Sequence, residues 1–331
     1  MVPKKIGVTK RAVLQLLYAH RSGYLSGQRI SEELGCSRTA VWKHVRELEN
    51  DGYHIEAVQK SGYRLQSAPE GVSDAAILAL LTTKRLGRQI VFYDRLDSTQ
   101  KLALQLADEG AEEGTLVVTN EQTAGRGRLG HAWQSARGAN IAMSFILRPE
   151  LAIDRTPQLT LLTAVAAADA IERVSGLCCA IKWPNDILYE GAKLVGILTE
   201  LQAEATYVKA IVIGIGMNVN TDAEAFKGAL CHKATSLRTV TGQSYEPAVL
   251  ICQFLERFET LYHAYLTDGF AVIKPLWMSR ALSLGKYISV RKPGGQILRG
   301  KAVGIDDDGV LLLEASDGSL THVYSADIEW S

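Results

Sequence analysis

Residues 122–133 read QTAGRGRLGHAW, placing Gly125, Gly127 and Gly130 at G-x-G-x-x-G spacing. Such a loop cradles a dinucleotide only between a strand and a helix, because the pyrophosphate rests on the helix N-terminus. A strand-like run, TLVVTNEQ (115–122), does precede it. The next residues, RLGHAWQSARGANIAMSF, are irregular and then strand-like, and Glu150, about 20 residues beyond the loop, lies in a Pro-containing turn. This context excludes a Rossmann unit. Arg126 and Arg128 lie between the glycines, and fixed guanidinium groups under a close-fitting backbone suit a carboxylate or phosphate. A mobile surface loop with solvated arginines is the alternative for this stretch alone.

The surrounding pattern is one of long alternating elements. Helix-like stretches fit 74–86, 99–109 and 157–175, and strand-like runs cover 90–96, 115–122 and 140–147, then AIKWPNDILY, KLVGILTELQ and YVKAIVIGIGMNVN. Helices on one side of a mixed or mostly antiparallel sheet, an α+β arrangement, fit this order best. Four further stretches stand out. DSTQ (97–100) offers the Ser98 and Thr99 hydroxyls between strand and helix, and could serve only as a cap. KWPND groups Lys182, Asn185 and Asp186 around a proline, and could be a plain turn. Lys193 opens an otherwise apolar strand. Gly214 and Gly216 end an apolar run, as where backbone lies against a ligand. Five such features in one region make coincidence improbable.

Residues 1–66 carry eleven Lys and Arg against six acidic residues, a surplus of five in a chain of zero formal net charge. Two short helices separated by Gly35 are followed by a hairpin around Lys60–Gly62, the pattern of a winged helix-turn-helix. Ser37 caps the second of these helices, Val41, Val45 and Leu48 form its inner stripe, and Arg38, Thr39, Trp42, Lys43 and Arg46 face outward. With Lys60 on the wing, these residues would meet bases and phosphates of DNA. A solvated helix on an accessory domain is the alternative. In the first helix, the inward residues are expected to be Val13, Leu16 and Leu17. Residues 286–331 alternate short β runs with Gly, Pro and Asp turns, as in a small barrel. The five cysteines form no C-x-x-C pair and there is no signal peptide or membrane-length apolar run, which points to a cytoplasmic protein with reduced thiols.

Taken together, DSTQ, GRGRLG, KWPND, KLVGIL and GIGMNVN resemble the motifs of the biotin–protein ligases. With the winged helix in front, the whole chain resembles the bacterial members that also repress the biotin operon. The resemblance implies a winged-helix domain (1–66), a class II synthetase-like catalytic domain (67–272) and an SH3-like barrel (273–331) lying towards the ATP site. It implies activation of biotin by ATP and Mg²⁺ to biotinyl-5′-adenylate and transfer to a lysine of biotin carboxyl carrier protein. It also implies binding of operator DNA by an adenylate-bound homodimer.

Carried over by motif, Ser98, Thr99, Gln100, Gln122, Gly125, Arg126, Gly127, Arg128, Trp133, Lys193, Gly214 and Gly216 would hold biotin and its adenylate. Lys182, Asn185, Asp186 and Asn218 would serve the ATP side, with Asp186 towards the metal. The histidines, His131 included, need no catalytic part. Two departures stand out: Gln100 replaces the usual Asn after DST, and Leu129, His131 and Ala132 replace a more basic run. A winged-helix ligand sensor without turnover and a lipoate- or octanoate-type acyl ligase are the alternatives.

Overall fold

Ser26 and Ser37 set the N-terminal module, each accepting a backbone N–H three residues on, from Arg29 and Ala40, at 3.1 Å. They start α2 (Gly27–Leu34) and α3 (Arg38–Asn50), which follow α1 (Val8–Ala19). Gly35, at φ 62°, ends α2 in the left-handed conformation that glycine tolerates. Val41, Val45 and Leu48 are buried as expected. In α1 the buried residues are Val13, Leu14, Leu17 and Tyr18, whereas Leu16 is half-buried. The stripe is wider than expected because α1 packs against both α3 and the following α4. Strands β1 (His54–Val58) and β2 (Gly62–Ser67) form the wing. A Cβ on Gly62 would lie 2.2 Å from the Leu25 carbonyl oxygen, so the wing can close on the module only at a glycine.

The computed structural model describes residues 8–134, 136–204, 207–226, 228–292, 295–324 and 327–330. Helix α4 (Asp74–Leu80) stops six residues short of the expected end. The carboxylate of Glu259, 173 or more residues away, accepts the N–H groups of Lys84, Arg85 and Leu86 at 2.7, 2.8 and 3.1 Å. Burial opposes the Glu259 charge, but these donors outweigh it and hold the carboxyl below its usual value. A tertiary partner thus takes the donors that a longer helix would use.

The central body continues with β3 (Ile90–Leu96), α5 (Thr99–Asp108), β4 (Leu116–Gln122), β5 (Asn140–Leu147), α6 (Thr156–Ser175), β6 (Ala180–Lys182), β7 (Asp186–Tyr189), β8 (Ala192–Glu204) and β9 (Tyr207–Asn218). Helices α7 (Leu237–Thr241), α8 (Pro247–Asp268) and α9 (Lys274–Met278) follow. The seven strands lie in the order β3-β4-β5-β9-β8-β7-β6, with β3–β4 parallel and the other pairs antiparallel. This is the mixed α+β sheet expected.

Its helices lie on two faces, not one. Helices α6 and α8 cover one side, where Phe145 meets Phe254 and Phe258 at ring-centroid distances of 6.0 and 4.9 Å. On the other side, Ala103 and Ala107 of α5 pack on Val117, Ile146, Ala210 and Val212. The central strands are apolar on both faces, so both need cover. Phe258 is fully buried. Phe258→Ala is expected to cost ~3–5 kcal/mol, read as a lower urea midpoint at unchanged slope.

At the C-terminal end, β10 (Tyr287–Arg291), β11 (Ile297–Ile305), β12 (Leu311–Glu314), β13 (Leu320–Val323) and β14 (Asp327–Trp330) form an antiparallel sheet in the order β13-β12-β11-β10-β14. It docks on the central body through Lys274 and Asp307, 2.8 Å apart, and through the Gln158 amide, which donates to the Asp307 carbonyl at 3.0 Å. The winged helix docks through Glu246, which accepts from Tyr18 and, at 2.8 Å, from Arg21. Among the described residues no helix is long and apolar enough to cross a membrane.

Candidate active site and nucleic-acid interface

Beyond the N-terminal end of α5, the sheet face that α5 covers is open. Two rows of mostly small residues cross it: Ala142, Gly216 and Gly196 in one, Ser144 and Gly214 in the other, which ends on the larger Leu198. The glycines leave room for other groups. A Cβ on Gly216 would lie 2.2 Å from Trp133 Cε2, and one on Gly214 would lie 2.4 Å from Gln100 Oε1. The floor of the site is therefore mostly backbone.

A buried polar wall stands at the α5 end. Gln122 Oε1 accepts the backbone N–H and the hydroxyl of Thr99, at 2.9 and 3.1 Å. Ser144 Oγ lies 2.9 Å from Thr99 Oγ1 and 3.0 Å from Gln100 Oε1. The Gln100 amide nitrogen donates to the Val212 carbonyl at 3.1 Å. The amide of Gln100 is thus engaged within the protein at both ends. The longer side chain found in place of Asn reaches past Gly214 and becomes part of the wall.

The glycine loop folds as a miniature hairpin. Gly127 N–H donates to His131 O at 2.7 Å, Trp133 N–H donates to Gly125 O at 3.0 Å, and Arg126 pairs with Ala132. A Cβ on Gly125 would sit 2.5 Å from the Trp133 carbonyl oxygen, so close strand approach is what this glycine permits. Leu129, with φ 54° and mostly exposed, and Gly130 occupy the turn at its tip. Among the described residues between β4 and β5, the only helical turn is a single 3₁₀ turn at Arg128–Gly130, in keeping with the exclusion of a Rossmann unit. Trp133 lies over Gly196 and Gly216 with its buried indole N–H unbonded among the described residues.

Trp133 stands between two chambers. The inner one, about 50 Å³, is bounded by the polar wall, the floor, Arg126 and Arg128. The outer one, about 520 Å³, is lined by Asn140, Asn218, Thr221, Phe226 and Lys233. Trp133 and Lys193 border both. The Lys193 ammonium lies 2.7 Å from Asp186 Oδ1 and 5.7 Å from the centre of the Trp133 ring. Arg128 donates to Asn185 Oδ1 at 3.1 Å, and the Asn185 amide nitrogen donates to the Ile197 carbonyl at 2.9 Å. KWPND, whose Trp183–Pro184 bond is cis, therefore holds Arg128 from one side while Asp186 holds Lys193. Lys193 thus stands where the chambers meet, and Arg128 lines the inner one.

A separate cleft of about 790 Å³ lies between α2, α3 and the wing, with Arg38, Thr39, Trp42 and Lys60 on its walls. The Arg46 guanidinium lies 5.7 Å from the centre of the half-exposed Trp42 ring and pairs with Glu49 at 2.9 Å. Lys43 is exposed on α3 outside the cleft wall, and the Ser37 hydroxyl is engaged as the helix cap.

Three segments match family models: a helix-turn-helix domain at 9–64, the biotin/lipoate A/B protein ligase family at 92–218, and the biotin protein ligase C-terminal domain at 283–330. The bifunctional ligase/repressor BirA of Bacillus spizizenii is 48% identical over 320 residues, 97% of this chain and 98% of that protein. The chain belongs to the bifunctional biotin ligase/repressor family. The Escherichia coli member, also a bifunctional ligase/repressor BirA, is 28% identical over 87% of this chain and 88% of its own length. Among solved structures, the biotin protein ligase of Aquifex aeolicus in complex with biotin and ATP superposes with a TM-score of 0.65. It is 26% identical, and the match covers 74% of this chain and all of that one.

Within this ligase/repressor fold, the inner chamber gathers Thr99, Gln100, Gln122, Arg126, Gly127, Arg128, Trp133, Asn185, Lys193, Gly214 and Gly216. Ser98 lies apart as the buried cap of α5, accepting the Lys101 N–H at 3.4 Å. Lys182 pairs with Asp186 across the β6–β7 hairpin and lines neither chamber. Asn218 lines the outer chamber. Ser144, Thr221 and Phe226 were not anticipated. Ser144 had a signal, being the one hydroxyl-bearing residue in the wholly buried strand NIAMSFIL. Among the described residues, the C-terminal sheet lines neither chamber. Its Asp308, Gly309 and Tyr324 share a third cavity, of about 590 Å³, with Arg128.

Proposed function

We propose that this chain uses ATP to convert biotin to biotinyl-5′-adenylate, transfers the acyl group to a lysine of biotin carboxyl carrier protein, and represses biotin synthesis genes when the adenylate is bound. The observation that carries this reading is the pair of chambers joined at Trp133 and Lys193, one narrow and ending on the Thr99–Gln122 wall, the other wider. Biotin takes the inner chamber, its head against Thr99 and Gln122 and its carboxylate towards Arg126, Arg128 and Lys193. The nucleotide takes the outer chamber beside Asn218. A carboxylate oxygen attacks the α-phosphorus, the bond to the β-phosphate breaks and pyrophosphate leaves. A lysine amine then attacks the acyl carbon, and AMP leaves. The cations hold carboxylate and phosphate in line while their charges change.

The donor set favours a magnesium ion delivered with the triphosphate over a resident one. Among the described residues no three His, Cys, Asp or Glu side chains gather as a metal group. Asp186, whose buried Oδ1 lies beside Lys193 without an aligned hydrogen bond, fits the single carboxylate such an ion meets. The ion would neutralise phosphate charge. Incubation with biotin, ATP and the carrier domain tests the reading. Biotinylated carrier and AMP are the expected products. A folded chain that binds biotin but makes neither is a sensor, and labelling by lipoate in place of biotin makes it an acyl ligase of the other kind.

For repression, a homodimer places two winged helices on two half-sites. The pairing of β8 supports an edge for it. Strand β7 covers β8 only from Ala192 to Gly196, and Ile197 and Leu198, which line the inner chamber, lead into the uncovered part. Ordering of the chamber is thereby continuous with the edge a second copy would use. Sedimentation with biotin and ATP is expected to show a dimer, and DNA affinity to rise with it. A chain that stays monomeric, or DNA affinity indifferent to both ligands, contradicts the coupling. Arg38→Ala is expected to weaken DNA binding and to reduce the slope of log affinity against log salt by about one if it meets a phosphate.

A further inference from the structure

The wall of the inner chamber contains more hydroxyls and amides than a ligand could meet at once, and counting their protons assigns them different tasks. Gln122 Oε1 only accepts, and it faces the Thr99 N–H and hydroxyl at 2.9 and 3.1 Å. The Gln122 amide nitrogen is thereby turned away from Thr99, to where a Cβ on Gly125 would meet it at 2.9 Å. Gln100 is the converse case. Its nitrogen is committed to the Val212 carbonyl at 3.1 Å, so its oxygen must face Ser144. The Ser144 hydroxyl, fully buried on β5, has one proton and two neighbours, Thr99 Oγ1 at 2.9 Å and Gln100 Oε1 at 3.0 Å. Thr99 donates its one hydroxyl proton to Gln122 Oε1, so Ser144 donates to Thr99 Oγ1 with Gln100 Oε1 in reach of the same proton, and the relay from Ser144 through Thr99 ends on the Gln122 oxygen. Ser144 thereby bridges the Thr99 hydroxyl and the Gln100 amide oxygen.

We propose that Ser144 is a positioning residue, locking Thr99 and Gln100 together so that Gln122 keeps its amide N–H groups towards the ligand. In this arrangement Gln100 is spent on the protein and does not bond the ligand. The chamber presents amide N–H donors from Gln122 beside hydroxyl oxygens able to accept. That pattern matches a planar cyclic urea, which carries one carbonyl acceptor between two N–H donors. The inference rests on the reading that this chamber takes biotin and adds the residue that sets the polarity of its wall.

The test is biotin-dependent ATP–pyrophosphate exchange by the full chain, with biotin and with 2-iminobiotin, whose carbonyl acceptor is replaced by a donor. Ser144→Ala is expected to raise the KM for biotin about tenfold, the scale of one unmade buried hydrogen bond. KM for ATP and kcat stay within about twofold. Preference for biotin over 2-iminobiotin falls with it. Ser144→Cys, which keeps a weaker donor, lies between, and serves as the test if the alanine variant does not fold. Because Ser144 acts through its partners, Ser144→Ala adds little once Gln100→Leu has broken the lock.

Full additivity of the two substitutions overturns the proposal in favour of a direct ligand contact. Unchanged biotin KM in both Ser144 variants, or a parallel loss in kcat and ATP KM, also overturns it. Absence of biotin-dependent exchange in the unmodified chain is a different result, and it removes the ligase reading instead.

Discussion

Arg128→Ala is expected to slow biotin-dependent ATP–pyrophosphate exchange by about 10²–10³-fold, the usual cost of one preorganised donor aimed at developing charge. Arg128 comes from the hairpin loop and is held by Asn185 of KWPND at 3.1 Å, so loop and turn must both be in place for it to act. Lys193→Ala is expected to cost at least as much. Lys193 borders both chambers, and its ion pair with Asp186 shows that the site already accommodates an anion at 2.7 Å from the ammonium. Steady-state exchange at saturating and limiting biotin separates lost binding from lost turnover. Activity within a few-fold of the unmodified chain for either variant would move the chemistry elsewhere.

Gly216→Ala is the second large effect. The residue lies mid-sheet on β9, where alanine is no worse a strand former than glycine, so the fold should be retained. The added methyl, however, would fall 2.2 Å from Trp133 Cε2 and 2.6 Å from its Nε1. The indole cannot give way towards the sheet, and the loop carrying Arg128 must shift with it. Overpacking of this kind costs ~1–3 kcal/mol, equivalent to a rise in biotin KM of roughly 5- to 150-fold. Circular dichroism should change little, and the urea midpoint should fall by no more than that cost. An unchanged KM would show that Trp133 does not need to sit on Gly216 at any point in the cycle.

Much of this molecule was legible because its motifs are local. The strands at 90–96 and 140–147 lie where their residue patterns put them, and GRGRLG without a following helix was readable as something other than a nucleotide loop. The caps at Ser26 and Ser37 and the stop at Gly35 depend on neighbours three or four residues away. What was not legible depends on distant partners. Nothing near residue 80 announces that Glu259 will collect the next N–H groups and end α4. Leu14 replaces Leu16 inside because a helix 60 residues later packs on α1. Lys182 was grouped with Asn185 and Asp186 by proximity in sequence, yet of Lys182 and Asn185 only Asn185 borders a chamber. Gln100 looked like a ligand contact by its place in DSTQ, and only Val212 and Ser144, from two other strands, show where its amide is engaged.

The two chambers also carry a dynamic requirement. With Trp133 on the glycine floor, the inner chamber has space for only a few waters. A ligand that extends from the polar wall to the outer chamber must pass Trp133, which borders both, so binding and loop movement are coupled. This is the physical basis for expecting that occupancy of the site reaches the loop, the free edge of β8 and, through dimerisation, the DNA-binding module.

The most direct measurement of the central claim is incorporation of labelled pyrophosphate into ATP by the purified full chain, with and without biotin. Exchange that starts on adding biotin, and does not start with lipoate or octanoate, is the expected result. A folded chain that shows no biotin-dependent exchange, or exchanges equally well with the other acids, would contradict it.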